Sequence, residues 1–293
     1  MFVNRRPKGD NAAMRWQKTD SDYLQTIDFV AFDTETTGIW APANRIVEIG
    51  AIKFRLGAPA TSGFRELVNP EREIPAEVVQ IHGITSSMVR NARTVRPVLE
   101  DFFAFCGADS ILIAHNAMFD ISFVGCECDR VGLPLAENPI IDTVDVFRRR
   151  RPGLGSYSLL SLAREFKLAS DQNHRAADDA ALVWKLFSLI SEEFPDFKTE
   201  GDFKRHVPFY HLSQWPGEER ELPDQYSDIT LAMKENLAVD IVYAANNRPP
   251  EYRTIRPRRV HYLRSTYYIS AYCEKARSER TFRLDRILSF QLK

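Results

Sequence analysis

Phe32-Asp33-Thr34-Glu35-Thr36-Thr37-Gly38 decides how this chain reads. It closes a short apolar run, residues 28–34, that predicts a strand. Side chains alternate faces along a strand, so Asp33 and Glu35 point the same way. Two carboxylates on one face repel each other unless a cation lies between them. A solvated strand face carries the same D-x-E pattern. The preceding apolar residues, Phe29–Phe32, favour the end of an interior strand instead.

Two later clusters extend the acidic set. His115-Asn116-Ala117-Met118-Phe119-Asp120 leaves an apolar strand at 110–115 and enters a helix expected over 119–131. His174-Arg175-Ala176-Ala177-Asp178-Asp179 precedes and opens a helix expected over 176–193. An Asp in a first helical turn is also an ordinary cap. Here, however, a His and several carboxylates recur at strand ends and helix starts. Hard oxygen ligands of this kind suit Mg²⁺ or Mn²⁺. Two such cations can activate water, neutralise a phosphate and stabilise a leaving oxygen. No Gly-x-Ser-x-Gly nucleophile elbow and no phosphate-cradling Gly-x-x-x-x-Gly-Lys is present.

Further strands are expected over 45–54, 64–68 and near 140–141, and further helices over 95–106 and 158–166. Three strands followed by alternating helix and strand predict an α/β domain with a mixed sheet. Prolines at 195, 208, 216 and 223, with the charge run Glu218–Glu221, predict a linker. A short helix over 229–235 and strands over 238–243, 253–260, 266–272 and 280–284 predict a small curled β domain. The expected organisation is a tail over 1–25, an α/β domain over 26–194, a linker over 195–225 and a β domain over 226–293.

The totals fit this organisation. The 293 residues are 44% hydrophobic and 27% charged, a soluble globular composition. No run is apolar enough for a membrane helix, and the N-terminus does not read as a signal peptide. Cys126 and Cys128 are spaced C-x-C without a second pair, a poor zinc match. Buried reduced thiols and a cytoplasmic location are therefore expected. Residues 225–293 hold 13 Lys/Arg against 7 Asp/Glu, a net of +6, so the remainder carries −7 of the total −1. The basic end is the asymmetry to explain. Arg148–Arg151 is either a solvated face or a guide for a phosphate backbone.

FDTETTG, IHGIT, HNAMFD and HRAADDA, in that order, resemble the motifs of the DEDDh (DnaQ-like) 3′→5′ exonucleases. The resemblance implies an RNase H-like fold with a mixed five-stranded sheet and flanking helices. It implies that Asp33, Glu35, Asp120 and Asp179 ligate two Mg²⁺ or Mn²⁺ ions and that His174 is the general base. The family's spacing between its histidine and the last acidic residue selects Asp179 rather than Asp178 after His174, and Asp142 is read as structural. Thr36, Thr37, Ile81, His82, Asn116 and Phe119 are candidate substrate contacts, although each also suits a core or turn role.

VDIVYAA, RTIRPRRV, TYYISAYCE and RTFRLDRI resemble a WYL domain, with Tyr267-Tyr268-Ile269 in place of the tripeptide that names it. This implies a small SH3- or Sm-like β-barrel with a nucleic-acid-binding or ligand-sensing role. Arg256, Arg258, Arg259, Arg280 and Arg283, interleaved with Tyr267 and Tyr268, have the make-up of a single-strand-binding surface. The alternative fills a core with tyrosines and pairs the arginines with Glu274, Glu279 and Asp285. The expected function is metal-dependent exonuclease action on a single-stranded 3′ end of DNA or RNA. The rival is a nucleic-acid-binding or ligand-sensing regulator that uses the nuclease fold as a scaffold.

Overall fold

The computed structural model describes residues 23–195, 197–215, 221–244, 249–263 and 266–293. Most of the expected tail and residues 218–220 of the charge run lie outside the described residues.

The first domain is built on one mixed sheet. Strands β1 (Phe29–Thr36), β2 (Ile46–Phe54), β3 (Ser62–Leu67), β4 (Ile111–Ala114) and β5 (Ile140–Asp142) lie in the order β3-β2-β1-β4-β5. β1 is antiparallel to β2 and parallel to β4, and β4 is parallel to β5. Residues 29–32 are all fully buried because helices cover both faces of the central strand. The helices of this domain are α1 (Ala76–His82), α2 (Ser86–Val89), α3 (Val95–Cys106), α4 (Met118–Val131), α5 (Thr143–Arg150), α6 (Leu159–Glu165) and α7 (Ala176–Ser191). Phe29 and Ala31 face a core completed by α5, α6 and α7. Val30 and Phe32 face one completed by α3 and α4. The expected mixed sheet with flanking helices is what the structure contains. No helix among the described residues is long and apolar enough to cross a membrane. All four cysteines are free and buried.

The stretch expected as a linker is folded onto this domain as far as Trp215. Helix α8 (Glu200–His206) opens on a reciprocal capping box between Thr199 and Asp202. Phe197, Phe203, Val207, Leu212 and Trp215 are buried, so the apolar residues between the prolines anchor the segment. Trp215 packs on Gly125 of α4 so closely that an added Cβ there would meet its ring at 2.3 Å.

The C-terminal domain consists of α9 (Ser227–Glu235) and an antiparallel sheet of β6 (Val239–Tyr243), β7 (Glu251–Leu263), β8 (Thr266–Cys273), β9 (Ser278–Arg283) and β10 (Ile287–Leu292). The strand order is β10-β6-β7-β8-β9. Where a closed barrel was expected, the sheet is open, and its edge strands β10 and β9 do not pair among the described residues. Helix α9 packs on β7 and β10 and places Ile229 and Ala232 in the core, so the sheet buries one face on a helix rather than on itself. The ladder also slips between Pro257 and Arg259, where proline has no N–H to donate.

Candidate active site

The acidic set converges at the end of β1. Asp33 lies opposite Gly50 on β2, and Glu35 lies opposite Glu48. Gly50 is required there because an added Cβ would meet the Ala177 backbone nitrogen at 2.1 Å. That close approach brings the start of α7 against the sheet, with Asp179 in its first turn. Carboxylate oxygens of Asp33, Glu35 and Asp179 all lie within 4.8 Å of one another. Asp120, in the first turn of α4, is 1% exposed and accepts a hydrogen bond from Thr34 Oγ1 at 2.8 Å.

Burial and mutual repulsion shape the electrostatics. Burial, then the charges of Asp120 and Glu35, hold the Asp33 carboxyl well above its ordinary range. Glu35 is pushed up to about 9 by burial, and next by Asp179 and Glu48. Asp179 is raised by burial against the lowering hydrogen bond from Gln172 Nε2, which donates to Oδ2 at 2.7 Å. Asp179 Oδ1 is buried without a protein partner. A buried carboxylate oxygen left open, beside two more carboxylates, fits a divalent cation with oxygen ligands.

His174 sits just before α7 with φ at +46°, a backbone conformation in which His is uncommon. It lines a cleft of about 550 Å³ together with Asp33, Glu35, Asp179, Asn116 and Phe119. The structure therefore gathers His174 and three of the four predicted ligands directly, with Asp120 beside them through Thr34.

Other predicted residues are committed elsewhere. Thr36 Oγ1 donates to Gly38 O at 2.6 Å, and Thr37 Oγ1 accepts from Arg45 N at 3.1 Å. Both hydroxyls hold the turn after β1. Buried His82 accepts from Ile84 N–H through Nδ1 at 3.0 Å, leaving Nε2 as donor to Thr36 O at 3.3 Å. Ile81 is exposed. Asp142 accepts from the N–H groups of Asn116, Ala117 and Val144, which bears out a structural role capping α5.

Further residues line or support the site, and of these Gln172, Tyr157 and Glu48 escaped the sequence reading. Gln172 and Tyr157 line the cleft, as does His115, whose ring is held on both nitrogens by Thr143 Oγ1 and Tyr157 O. Of the arginine run, Arg148 lines the cleft, Arg150 lies over the Phe194 ring and Arg151 pairs with Glu193. Fully buried Glu48 accepts from Arg175, Arg65 and Ala176 N–H. Its signal was an acid inside an otherwise apolar strand.

In the C-terminal domain, Arg256 pairs with Glu274 and Arg283 with Asp285, as the alternative reading had it. Arg259 reaches Asp129 of α4 at 3.4 Å, and Tyr268 stacks on Trp40 of the first domain with ring centroids 4.3 Å apart. Tyr267 packs on Tyr262, and Arg280 is exposed on β9.

Comparison with known proteins agrees with this geometry. The family model described as exonuclease, of the RNase T type, matches residues 30–187, and the WYL domain model matches 224–292. A DNA polymerase III of PolC type from Halalkalibacterium halodurans is 34% identical over 192 residues, 62% of this chain and 13% of that protein. A Mycobacterium tuberculosis protein whose name reads exonuclease/endonuclease is 41% identical over 184 residues, 60% of this chain and 28% of that protein. The chain thus spans under a third of either relative. The fold resembles the nuclease domain of 3′hExo, described as a DEDDh family member bound to rAMP, at a TM-score of 0.52 and 15% identity over 59% of this chain and 94% of that one. The chain belongs to the exonuclease family of DEDDh type and carries a WYL domain after the nuclease domain.

Proposed function

We propose that the protein is a 3′→5′ exonuclease that removes nucleotides from a single-stranded end of DNA or RNA. The observation that carries this reading is the meeting of Asp33, Glu35 and Asp179 oxygens within 4.8 Å in a cleft that His174 also lines. These three residues and Asp120 would hold two Mg²⁺ or Mn²⁺ ions. Ions so bound supply charge neutralisation at the phosphate and acidify a water. His174 takes the proton of the attacking water as general base. Gln172 holds Asp179 through Oδ2 and leaves its buried Oδ1 open for a ligand. Thr34 does the same for Asp120. Phe119 offers a face for the terminal base, and Arg148 a guanidinium for a phosphate. His82, Thr36 and Thr37 keep the turn after β1 in place.

The basic C-terminal domain binds the strand or a ligand. PolC-type polymerases are named for DNA, and a solved 3′-exonuclease of similar fold (TM-score 0.54, 13% identity) is described with histone mRNA. Either polymer is therefore a fair substrate to test. Digestion of matched 5′-labelled DNA and RNA strands, with and without divalent metal, tests the proposal. Metal-dependent shortening from the 3′ end is expected. Binding without cleavage would favour a regulator built on a nuclease scaffold.

A further inference from the structure

Four arginines from both domains gather around the turn that follows β1. Three of them donate to carbonyls of that one turn. Arg130 Nη2 reaches Ala41 O at 3.4 Å, Arg72 Nη1 reaches Ala43 O at 2.6 Å, and Arg45 Nη1 reaches Asn44 O at 2.9 Å. The fourth, Arg280, stands on β9, which packs against the same turn. Arg72 and Arg280 are exposed.

Their compensation is incomplete. Arg130 pairs with Glu127 at 2.6 Å, and the nearby Asp129 is engaged by Arg259. Among the residues whose side chains are described, no carboxylate lies within 4.0 Å of Arg45, Arg72 or Arg280. The charges also act on one another. Burial first, and then Arg280 and Arg130, lower the proton affinity of Arg72, and burial followed by Arg130 does the same to Arg45. Like charges held together by neutral carbonyls produce a strongly positive local field, which an anion relieves.

The guanidinium fork matches phosphate oxygens. Donors drawn from the turn, from the segment after β3, from α4 and from β9 suit an extended polyanion better than one phosphate. The cluster is tied directly to the active-site strand, because Arg45 and Thr37 exchange hydrogen bonds two residues beyond Glu35. We propose that this domain junction binds backbone phosphates of the nucleic-acid strand upstream of its 3′ end, with Arg72 and Arg280 as the exposed donors. The proposal rests on the functional reading above only in taking a nucleic-acid strand as the ligand.

The test is anisotropy of a 5′-labelled single strand binding the full chain in EDTA across a salt series. Parent, Arg72→Ala, Arg280→Ala, the double variant and a control, Arg205→Ala on α8, are compared, with melting temperatures to verify folding. Each lost phosphate contact lowers the slope of log affinity against log salt by about 0.7, so the double variant loses about 1.4. The control keeps the parent slope. Arg72→Lys, which keeps the charge, retains most of it. A double variant with the parent slope overturns the proposal. So does a nucleoside triphosphate, titrated by calorimetry, that needs both arginines while the strand does not. Because EDTA arrests metal-dependent hydrolysis in every variant, failure of the nuclease reading leaves this readout intact.

Discussion

Arg175 donates twice to Glu48, from Nη2 at 2.6 Å and from Nε at 3.0 Å, across 127 residues of chain. Glu48 faces Glu35 across the β1–β2 ladder, and Arg175 stands between His174 and the first turn of α7. This pair therefore fixes the imidazole and Asp179 against the strand that carries Asp33 and Glu35. Burial alone would raise the Glu48 pKa, but hydrogen bonds from Arg175 and from Ala176 N–H hold the carboxyl below its ordinary value.

Glu48→Gln should be among the costliest single changes near the site. It leaves Arg175 without its carboxylate in a half-buried position, a loss of about 3 kcal/mol by analogy with broken buried pairs. Urea unfolding monitored by circular dichroism measures it. A midpoint equal to that of the parent would contradict the positioning role.

Gly50→Ala should be equally damaging for a steric reason. The new methyl would meet the Ala176–Ala177 backbone, which cannot move aside as a flexible side chain does. Helix α7 must shift and carry Asp179 with it. We expect lowered stability together with a fall in kcat/KM of about a hundredfold, the order of loss that a 1 Å misplacement causes. Parent-like kinetics would exclude the tight contact.

His115 gives a pH prediction. Burial lowers its pKa to about 4 from 6.5, against a raising hydrogen bond to Tyr157 O. The unfolded chain binds this proton more readily than the folded one, so stability is full above 6.5 and is lost as pH falls toward 4. The unfolding constant should rise by up to about tenfold per pH unit in that window from this group alone. An NMR titration of the His115 ring checks the cause directly. The ring should stay neutral at pH values where an exposed histidine is charged.

The strands and helices that carry the site were legible because apolar periodicity and acidic punctuation coincide at Asp33, Asp120 and Asp179. What was not legible depends on long-range partners. Gln172 carries no sequence signal for its bond to Asp179, and nothing in IHGIT says that His82 turns back to Thr36. Trp215 reads as a loop residue until Gly125 is seen beneath it. The WYL domain was recognisable from its strands, whereas closure depends on whether edge strands meet, and sequence periodicity does not report that. Tyr268 read as a strand-binding or core residue, and its stack on Trp40 required the two domains in place.

Divalent cation should stabilise the fold through the acidic cluster. Mg²⁺ or Mn²⁺ binding to the native state alone raises the melting temperature, and EDTA reverses it. Asp179→Asn should blunt the shift, because that residue supplies the open oxygen. A parent protein with the same melting temperature in EDTA and in Mn²⁺ would argue against a metal centre.

Incubation of 5′-labelled single-stranded DNA and RNA with parent and Asp179→Asn protein in Mg²⁺, Mn²⁺ or EDTA decides whether the acidic cluster is a 3′→5′ nuclease centre. The expected result is a metal-dependent ladder that shortens from the 3′ end, formed at least about a hundredfold more slowly by the variant. Internal cuts, cleavage in EDTA, or a variant as fast as the parent would contradict it.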